Sequence, residues 1–457
     1  MDFSKVKSGY FVGIGGVGVN ALAKFVMDFG IKVSGSDAKI NGLCRELIEK
    51  GAKISQIPDY QELENADFLV FSSAIPTDNP EIKRAKELHI PVFERHEFLA
   101  YVSKLFAQTV AIAGTHGKTT TTAMLTHISK TNDLKFVSMI GGESIEFSNY
   151  VNNTGASQIK DLKDCIFICE ACEYKRNLLA LKPSVGAVLN AECDHPDCYA
   201  DLFEIKSTFA EFLKKSEVKI VGSDNLELVG KNFNKKSGKG FGVFIESEKE
   251  KQMQCFFKDD KAIVSDGKKA VSLTLEDGGE YNYKNATFAL ATAIAIDMDF
   301  ETCVRCLSDY SGVKRRFERA ADIGKTKVVF DFAHHPSEIA QVIKRASVLG
   351  KIMVVFQPHT YSRTKAYIDD FASVLGAKGN GVKTIALMPT YAARETLKDG
   401  CGSDVLAATI FDKYRKRGVY LLKSKQSTVD FVKSHAKSHD IVLMIGAGDI
   451  YDLKDLL

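Results

Sequence analysis

The stretch TVAIAGTHGKTT, residues 109–120, decides the fold of the middle of the chain. Its apolar and β-branched start predicts a buried strand over Thr109–Ala113, and a helix is expected from Thr119 onward. The glycine-rich turn between them directs backbone N–H groups and the helix N-terminus at one point, which favours an anion there. Lys118 adds a positive charge, and the Thr119 hydroxyl suits Mg²⁺. The stretch therefore predicts a phosphate loop in an α/β domain.

This loop departs from the general phosphate-loop pattern at one position. Ile112 stands where the first glycine of GxxxxGK[ST] would fall. The departure restricts which subfamily of phosphate-loop proteins the sequence fits, but the backbone N–H groups that would hold a phosphate are still present. The alternative interpretation of this segment is a glycine-rich helix start that binds no ligand. The residues that we expect to hold a nucleotide are Gly114, Thr115, His116, Gly117, Lys118, Thr119 and Thr120.

Two further polar side chains follow predicted strands beyond this loop. Glu170 comes directly after a strand over Cys165–Cys169, and His195 comes soon after a strand over Val185–Leu189. Because ligands of open α/β sheets collect at the carboxyl ends of strands, both side chains are expected to reach a metal ion bound with the phosphates. Together with Thr119 they form the predicted metal site, in which Glu170 is the natural Mg²⁺ ligand.

Zinc is the alternative ion for this region. The soft ligands available to it are Cys169, Cys172, Cys193, His195 and Cys198. Against zinc, Cys169 ends a strand and should face away from Glu170, and the second cysteine pair has the wider spacing Cx₄C. The sequence therefore favours an oxygen-liganded metal.

A second glycine-rich loop lies near the N-terminus. The sequence GIGGVG, residues 13–18, follows the first predicted strand, and Asp37 follows the second. This pattern is typical of dinucleotide sites, with phosphate at a helix start and an acidic residue on a ribose. Since the chain already has a phosphate loop, the simpler interpretation is another diphosphate such as a UDP-sugar; NAD and a purely structural turn are the alternatives. The residues assigned to this site are Gly13, Gly15, Gly16, Gly18, Asp37, Ser72 and Ser73.

The length and composition indicate a multidomain globular protein. The 457 residues suggest about three domains, which we place at residues 1–104, 105–313 and 314–457. A net charge of +3, from 61 Lys and Arg against 58 Asp and Glu, argues against a nucleic-acid partner. The ten cysteines are expected to be reduced thiols. We expect no membrane partner and a cytoplasmic location, because neither a signal peptide nor an apolar run of about 20 residues is visible.

Short apolar runs alternate with amphipathic stretches along most of the chain, which predicts an α/β fold. We expect a Rossmann-like N-terminal domain, a central phosphate-loop ATPase domain with a parallel sheet, and a C-terminal Rossmann-like domain. Between about Lys231 and Gly279, alternating runs such as Ala262–Ser265 predict a small antiparallel insertion in the central domain.

Taken together, these motifs resemble the Mur ligase family of peptidoglycan synthesis. The resemblance covers almost the whole chain in a fixed order. The segments that carry it are GIGGVG (13–18), SGSD (34–37), SSAI (72–75), DNPE (78–81), GTHGKTT (114–120), EACEY (170–174), KRRFE (314–318), HHP (334–336), FQPH (356–359) and Arg363-Thr364.

The resemblance implies an ATP-dependent ligation that proceeds through an acyl phosphate. It is nearest to the members that join L-alanine to the lactyl carboxylate of UDP-N-acetylmuramate, so the expected partners are that sugar nucleotide and L-alanine. ATP and Mg²⁺, with Mn²⁺ as an alternative, are the expected cofactors. A monomer and a homodimer both remain open.

The resemblance also assigns roles to single residues. Asn282 and Asn285 would contact adenine, Arg316 the phosphates and Asp331 the ATP ribose. His334, His359 and Arg363 would position the amino acid or the reacting groups. The implied catalytic residues are Lys118, Glu170, His195 and Arg316.

Two departures from the family pattern concern the nucleotide and the metal. Tyr281 stands where relatives have a histidine before the two asparagines, which leaves the stacking on adenine open. Several members carry a carbamylated lysine near a second metal; Lys206 is the nearest one here, and an ordinary surface lysine is the favoured interpretation. A sister ligase that adds another amino acid or a peptide, a nucleotide-switched binding protein and a dehydrogenase are the alternative functions.

Overall fold

In a computed structural model of the chain, two compact units are distinguished, residues 1–312 and 313–457, and each is described by itself. The described residues are 3, 5–193, 198–230, 240–246, 251–258, 261–275, 278–320, 322–393, 395–397, 400–415 and 418–457, without the side chains of residues 240, 251, 257, 258 and 261. Among them, no helix is both long and apolar enough to cross a membrane.

The first unit begins with a parallel sheet of five strands in the order β3-β2-β1-β4-β5. Successive residues of a strand point to opposite faces, and both faces are buried, Phe11 in one core and Tyr10 in the other. The first core includes side chains of α1, α2 and α5, and the second those of α3 and α4. The elements are β1 (Ser8–Val12), α1 (Val17–Asp28), β2 (Lys32–Ser36), α2 (Gly42–Glu49), β3 (Lys53–Ser55), α3 (Tyr60–Glu64), β4 (Phe68–Phe71), α4 (Pro80–Glu87), β5 (Val92–Glu94) and α5 (Arg95–Ser103).

The same unit contains a larger mixed sheet. Its parallel part has the order β11-β10-β6-β9-β7, with β8 antiparallel at one edge. The elements are β6 (Gln108–Ala113), α6 (Lys118–Thr131), β7 (Phe136–Met139), β8 (Tyr150–Asn152), β9 (Ile166–Glu170), β10 (Val185–Val188), α7 (Leu202–Lys214), β11 (Val218–Gly222), β12 (Gly240–Glu246), β13 (Lys251–Lys258), β14 (Lys261–Ser265), β15 (Ala270–Leu273), α8 (Glu280–Ala295) and α9 (Phe300–Ser308). Residues 159–164, 174–180 and 223–229 form 3₁₀ helices.

The predicted antiparallel insertion is confirmed. Strands β12, β13, β14 and β15 pair antiparallel with one another in chain order, and β12 pairs antiparallel with β11. The hairpins thus extend the edge of the parallel sheet and do not form a separate layer.

A buried polar network joins α1 to the connection between β7 and β8. Lys24 is 1% exposed, and its Nζ contacts Glu46 Oε2 at 2.6 Å, Ser148 Oγ at 2.8 Å and Asn149 Oδ1 at 2.7 Å. The amide of Asn149 also donates to the carbonyl oxygen of Val17 at 2.7 Å. These contacts compensate the buried charge and amide, which would otherwise be costly, and they tie the first sheet to the larger one.

The second unit is a six-stranded sheet in the order β16-β17-β21-β18-β19-β20, parallel except for β16. Its elements are β16 (Glu318–Arg319), β17 (Lys327–Asp331), α10 (Pro336–Ser347), β18 (Ile352–Phe356), α11 (Tyr361–Ala366), α12 (Ile368–Gly376), β19 (Val382–Leu387), α13 (Ser403–Tyr414), β20 (Val419–Leu421), α14 (Lys425–His435) and β21 (Ile441–Ile445). Helices α10, α12 and α13 cover one face and α14 the other.

The α/β class and the parallel sheets are confirmed. At the edge of the C-terminal sheet, the two residues of β16 pair antiparallel with β17. Strands β3, β7 and β8, which have three or four residues each, were not predicted. The predicted domain boundaries at residues 104 and 313 stay a prediction.

Candidate active site

The phosphate loop lies between β6 and α6, as predicted. Gly117 is the N-cap of α6 with a φ of 86°, and Gly114 has a φ of 137°, so both adopt backbone conformations that favour glycine. Asn190, just beyond β10, braces the loop: its Oδ1 accepts from the N–H of His116 at 2.8 Å, and its Nδ2 donates to the carbonyl oxygen of that residue at 2.9 Å. Asn190 was not predicted to contact the loop, although its position after a strand end was a usable signal.

Lys118 is the charged centre of this loop. Its Nζ lies 2.9 Å from Glu173 Oε2 and donates to the carbonyl oxygens of Thr115, at 3.0 Å, and Gly114. Burial lowers the pKa of Lys118, but Glu173, Cys172 and Glu170 together outweigh burial, so the pKa lies above its ordinary value. The ammonium group is therefore protonated beside the loop. Glu173 was not predicted to contact it, although it belongs to the quoted EACEY segment.

Thr119 and Glu170 meet at the same end of the sheet. The Thr119 hydroxyl donates to Glu170 Oε2 at 3.2 Å, and the N–H of Gly141 donates to Glu170 Oε1. The carboxylate is thus held by a residue of the phosphate loop and by the chain after β7. A carboxylate and a hydroxyl in contact beside a phosphate loop are an oxygen donor set of the kind that Mg²⁺ uses.

Asn285, in α8, reaches the phosphate loop from another direction. A Cβ atom on Gly117 would lie 2.5 Å from Asn285 Oδ1. The side-chain Nδ2 of Asn285 is buried and has no hydrogen-bond partner within the described part of the chain. Buried amide groups are normally paired, so this donor next to the loop fits a nucleotide that supplies an acceptor. Asn282 lies on the same helix, and Tyr281 is 36% exposed.

Replacing Gly117 with alanine is expected to abolish tight nucleotide binding. The new Cβ would clash with Asn285, and the positive φ would cost about 1–2 kcal/mol. Calorimetric titration with MgADP checks this. Gly155→Ala is the matched control, because Gly155 also has a positive φ, of 65°, but its Cβ would meet nothing within 4 Å. Equal binding by the two variants would contradict the structural role of Gly117.

The N-terminal glycine loop closes on itself and on Asp37. The N–H of Gly13 donates to the carbonyl oxygen of Ser36 at 2.8 Å, and the N–H of Gly15 donates to Asp37 Oδ2 at 2.9 Å. A Cβ on Gly13 would lie 3.2 Å from Ser72 Cβ. The structure therefore brings glycines, aspartate and serine together at the ends of β1, β2 and β4.

Three other residues assigned to this site lie close by. Gly16 is the N-cap of α1, and a Cβ on Gly18 would lie 2.9 Å from Arg95 Cδ. Ser73 Oγ accepts from Asn177 Nδ2 at 3.4 Å. The predicted sugar-nucleotide residues thus form one group, and Arg95 is a neighbour that sequence analysis missed.

In the second unit, Asp331 and the two arginines after Lys314 have different surroundings. Asp331 Oδ2 accepts from the N–H of Phe317 at 2.8 Å, and its Oδ1 accepts from the N–H of Ala333 at 2.7 Å. Arg315 donates to the carbonyl oxygens of Gly446 and Gly448. The Arg316 guanidinium lies 5.2 Å from the centroid of the Phe332 ring. The Arg315 guanidinium lies over the same ring, 4.6 Å from its centroid, so the two arginines share this aromatic contact and Arg315 is in addition fixed by backbone acceptors.

His334 and His359 form a pair of rings whose centroids are 5.7 Å apart. Burial lowers the pKa of both to about 4, and the positive charge of Arg363 adds to this. The ring of His359 also stacks on Tyr391, 5.6 Å away. The structure therefore brings the three residues predicted to position an amino acid into one neutral-histidine cluster with a guanidinium.

These lowered pKa values predict a loss of stability in acid. Between pH 6.5 and pH 4 the unfolded chain binds protons at these histidines while the folded chain does not. Protonation therefore favours the unfolded chain, and the free energy of unfolding, which these histidines do not lower above pH 6.5, decreases as the pH falls. We expect His359→Gln to lose less unfolding free energy than the unchanged chain on going from pH 7 to pH 5. Chemical unfolding at both pH values measures this, and equal losses would contradict it.

Three earlier expectations concern metals and lysine. His195, the third residue of the predicted metal site, lies outside the described residues. Within the described ranges there is no group of three His, Cys, Asp or Glu side chains arranged for a metal, and burial raises the pKa of Cys169 to about 12. Lys206 pairs with Glu227 at 2.7 Å, the behaviour of an ordinary lysine at the surface.

Comparison with known proteins decides the family. The model described as Mur ligase family, catalytic domain, matches residues 9–107; the Mur ligase middle domain matches 112–293; and the Mur ligase, glutamate ligase domain matches 315–448. The chain belongs to the Mur ligase family. As a member it is an ATP-dependent ligase with the three consecutive domains of that family.

Individual Mur ligases match it over nearly their full lengths. UDP-N-acetylmuramate–L-alanine ligase of Clostridium novyi is 34% identical, over 98% of this chain and 97% of the relative. The crystal structure of UDP-N-acetylmuramate–alanine ligase from Thermotoga maritima matches with a TM-score of 0.74 and 24% identity, over 99% and 98% of the two chains. A murein peptide ligase from Psychrobacter arcticus matches with a TM-score of 0.67 and 19% identity, over 99% and 98%. The two structures support the fold.

Proposed function

We propose that this chain joins L-alanine to the lactyl carboxylate of UDP-N-acetylmuramate and converts ATP to ADP and phosphate. The carboxylate attacks the γ-phosphate to give an acyl phosphate, and the amine of L-alanine then displaces phosphate. The observation that supports the proposal is the grouping of Lys118, Thr119 and Glu170 at the glycine-rich loop, in a chain that aligns over nearly its full length with relatives named for this reaction. Both nucleotide substrates are cytoplasmic metabolites, so we place the reaction in the cytoplasm.

The residues of the first unit bind and orient ATP. The loop N–H groups and Lys118 neutralise phosphate charge, and Asn285 supplies an amide donor beside the loop. Thr119 and Glu170, with His195, would hold Mg²⁺, or Mn²⁺ in its place. When bound, the metal supplies positive charge to the phosphoryl oxygens. No covalent bond to the enzyme is needed, because positioning and charge neutralisation carry phosphoryl transfer.

The sugar nucleotide and the amino acid have separate sites in this proposal. The glycine loop with Asp37, Ser72 and Ser73 would hold the diphosphate and ribose of the UDP-sugar. His334, His359 and Arg363 would hold the amino acid: a guanidinium suits its carboxylate, and neutral histidines do not repel or protonate its amine. Arg316 would reach the transferring phosphoryl group when the units close, and Asp331 the ribose of ATP.

A sister ligase that adds another amino acid or a peptide is the second candidate, favoured by the fold match to a murein peptide ligase. The deciding experiment measures phosphate release from MgATP with UDP-N-acetylmuramate, with and without L-alanine, followed by mass analysis of the sugar nucleotide. We expect release to require both substrates and the sugar to gain one alanyl residue. If another amino acid or a peptide stimulates phosphate release and L-alanine does not, the assignment of L-alanine as the acceptor is wrong. If phosphate release depends on neither substrate, the ligase assignment is wrong and a nucleotide switch is favoured.

A further inference from the structure

The last residues of the first unit are held by the connection between β7 and β8, residues 140–149, here called the β7–β8 loop. The N–H of Ser311 donates to Glu146 Oε1 at 2.9 Å. The carbonyl oxygen of Gly312 accepts from the N–H of Ile145 at 3.1 Å and from Ser144 Oγ at 2.9 Å. The chain therefore leaves the first unit from a fixed point.

Glu146 is itself held by a buried histidine. Its Oε2 lies 2.7 Å from His127 Nδ1, and His127 Nε2 lies 2.9 Å from the carbonyl oxygen of Cys306. A carbonyl and a carboxylate both accept hydrogen bonds, so the two ring nitrogens of His127 lie between two acceptors, one on Glu146 and one on Cys306. Burial raises the pKa of Glu146, but the Ser311 N–H and His127 outweigh burial and leave it below its ordinary value.

Both members of this pair are connected to the phosphate site within the first unit. His127 lies on α6, the helix that begins with Lys118 and Thr119. Glu146 lies in the β7–β8 loop, in which the N–H of Gly141 donates to Glu170. Ser311 and Gly312, where the chain leaves the first unit, are thus connected to the phosphate loop through helix α6. They are connected to Glu170, the predicted metal ligand, through the β7–β8 loop.

The chain is fixed again as soon as the second unit begins. The N–H of Arg315 donates to Glu318 Oε2 at 2.7 Å, and its carbonyl oxygen accepts from the N–H of Phe332 at 2.7 Å. Gly312 has a φ of 102° and Arg315 a φ of 61°. Only Val313 and Lys314 separate the two fixed segments, so a change at the exit point is passed on to Arg316 over a very short stretch.

We propose that Glu146 and His127 are positioning residues, which fix the exit of the chain from the first unit relative to the phosphate loop and thereby set where the segment that carries Arg316 begins. The role of Arg316 in this inference rests on the proposed function, whereas the anchoring of Ser311 does not.

The test is Glu146→Gln, which keeps an oxygen for the Ser311 N–H and removes the charge. We expect kcat to fall about tenfold while KM for ATP and Kd for MgADP stay within about twofold, because the nucleotide residues are untouched. His127→Gln should behave alike, and the double variant should lose no more than either single one. Glu227→Gln, which removes a carboxylate paired with the partly exposed Lys206, is the control. Amide hydrogen exchange in a peptide covering 307–314 should quicken in both single variants and not in the control.

Unchanged kcat in Glu146→Gln, with the unchanged chain active as a ligase, overturns the inference and leaves the proposed function intact. Loss of MgADP binding together with kcat also overturns it, because the pair would then be supporting the phosphate site itself. If the unchanged chain shows no ligation, the proposed function fails, and the exchange measurement decides the anchoring alone: unchanged exchange at 307–314 overturns it.

Discussion

Lys118→Ala is expected to lower turnover by at least about a hundredfold, since it removes the positive charge that the loop presents to the phosphoryl group. Lys118 is partly buried in the first turn of α6 and is held between Glu173 and loop carbonyls. Steady-state phosphate release with both substrates measures the effect. Lys130→Ala is the matched control, because Lys130 lies in the last turn of the same helix and is exposed. Near-normal turnover would refute the role given to Lys118.

The substitution also leaves Glu173 as a buried carboxylate without its lysine, and breaking a buried pair costs roughly 3–5 kcal/mol. Thermal unfolding of the variant therefore accompanies the kinetics. A double variant that combines Lys118→Ala with Glu173→Gln removes the stranded charge. If turnover stays low in a stably folded double variant, the loss comes from the missing phosphate contact; recovery would assign it to the stranded carboxylate.

Arg316→Ala is expected to lower kcat by about a thousandfold, the scale of an arginine that stabilises phosphoryl transfer. Binding of MgADP should be unchanged, because the phosphate loop, Glu170 and Asn285 all belong to the first unit. Stopped-flow phosphate release and calorimetric titration measure the two quantities. Arg319→Ala is the control, since Arg319 is exposed and pairs with Asp322 at 2.6 Å. Turnover equal to that of the control would remove Arg316 from the catalytic set.

The two arginines also show where a sequence pattern stops being informative. The run KRRFE presents Arg315 and Arg316 with equal claims to phosphate. Both guanidinium groups lie over the Phe332 ring, and the structure separates them because Arg315 also donates to two carbonyl oxygens near the C-terminus of the chain. Arg315 is therefore held by backbone carbonyl oxygens that its position in the sequence does not reveal.

Local patterns determined the sites that consist of one contiguous segment. A strand, a glycine turn and a helix are specified by neighbouring residues, so the strand–turn–helix structure around both glycine loops was correctly predicted, and so was the antiparallel pairing of the insertion. The residues at strand ends were also foreseeable in kind, because parallel strands bring their carboxyl ends to one edge. Glu170 confirms this by its contact with Thr119.

Contacts between distant segments were decided by the tertiary structure alone. Asn190 braces the phosphate loop, Glu173 pairs with Lys118, Asn149 and Lys24 join α1 to the β7–β8 loop, and Glu146 fixes Ser311, yet none of these residues lies in a pattern that names its partner. The physical reason is that a polar side chain can satisfy a buried group anywhere along the chain, and only the packed fold settles which one it meets. The sequence by itself determined the family, the α/β class and the ATP-dependent ligase activity, because these rest on contiguous motifs; the fold decided which distant side chains hold those motifs in place.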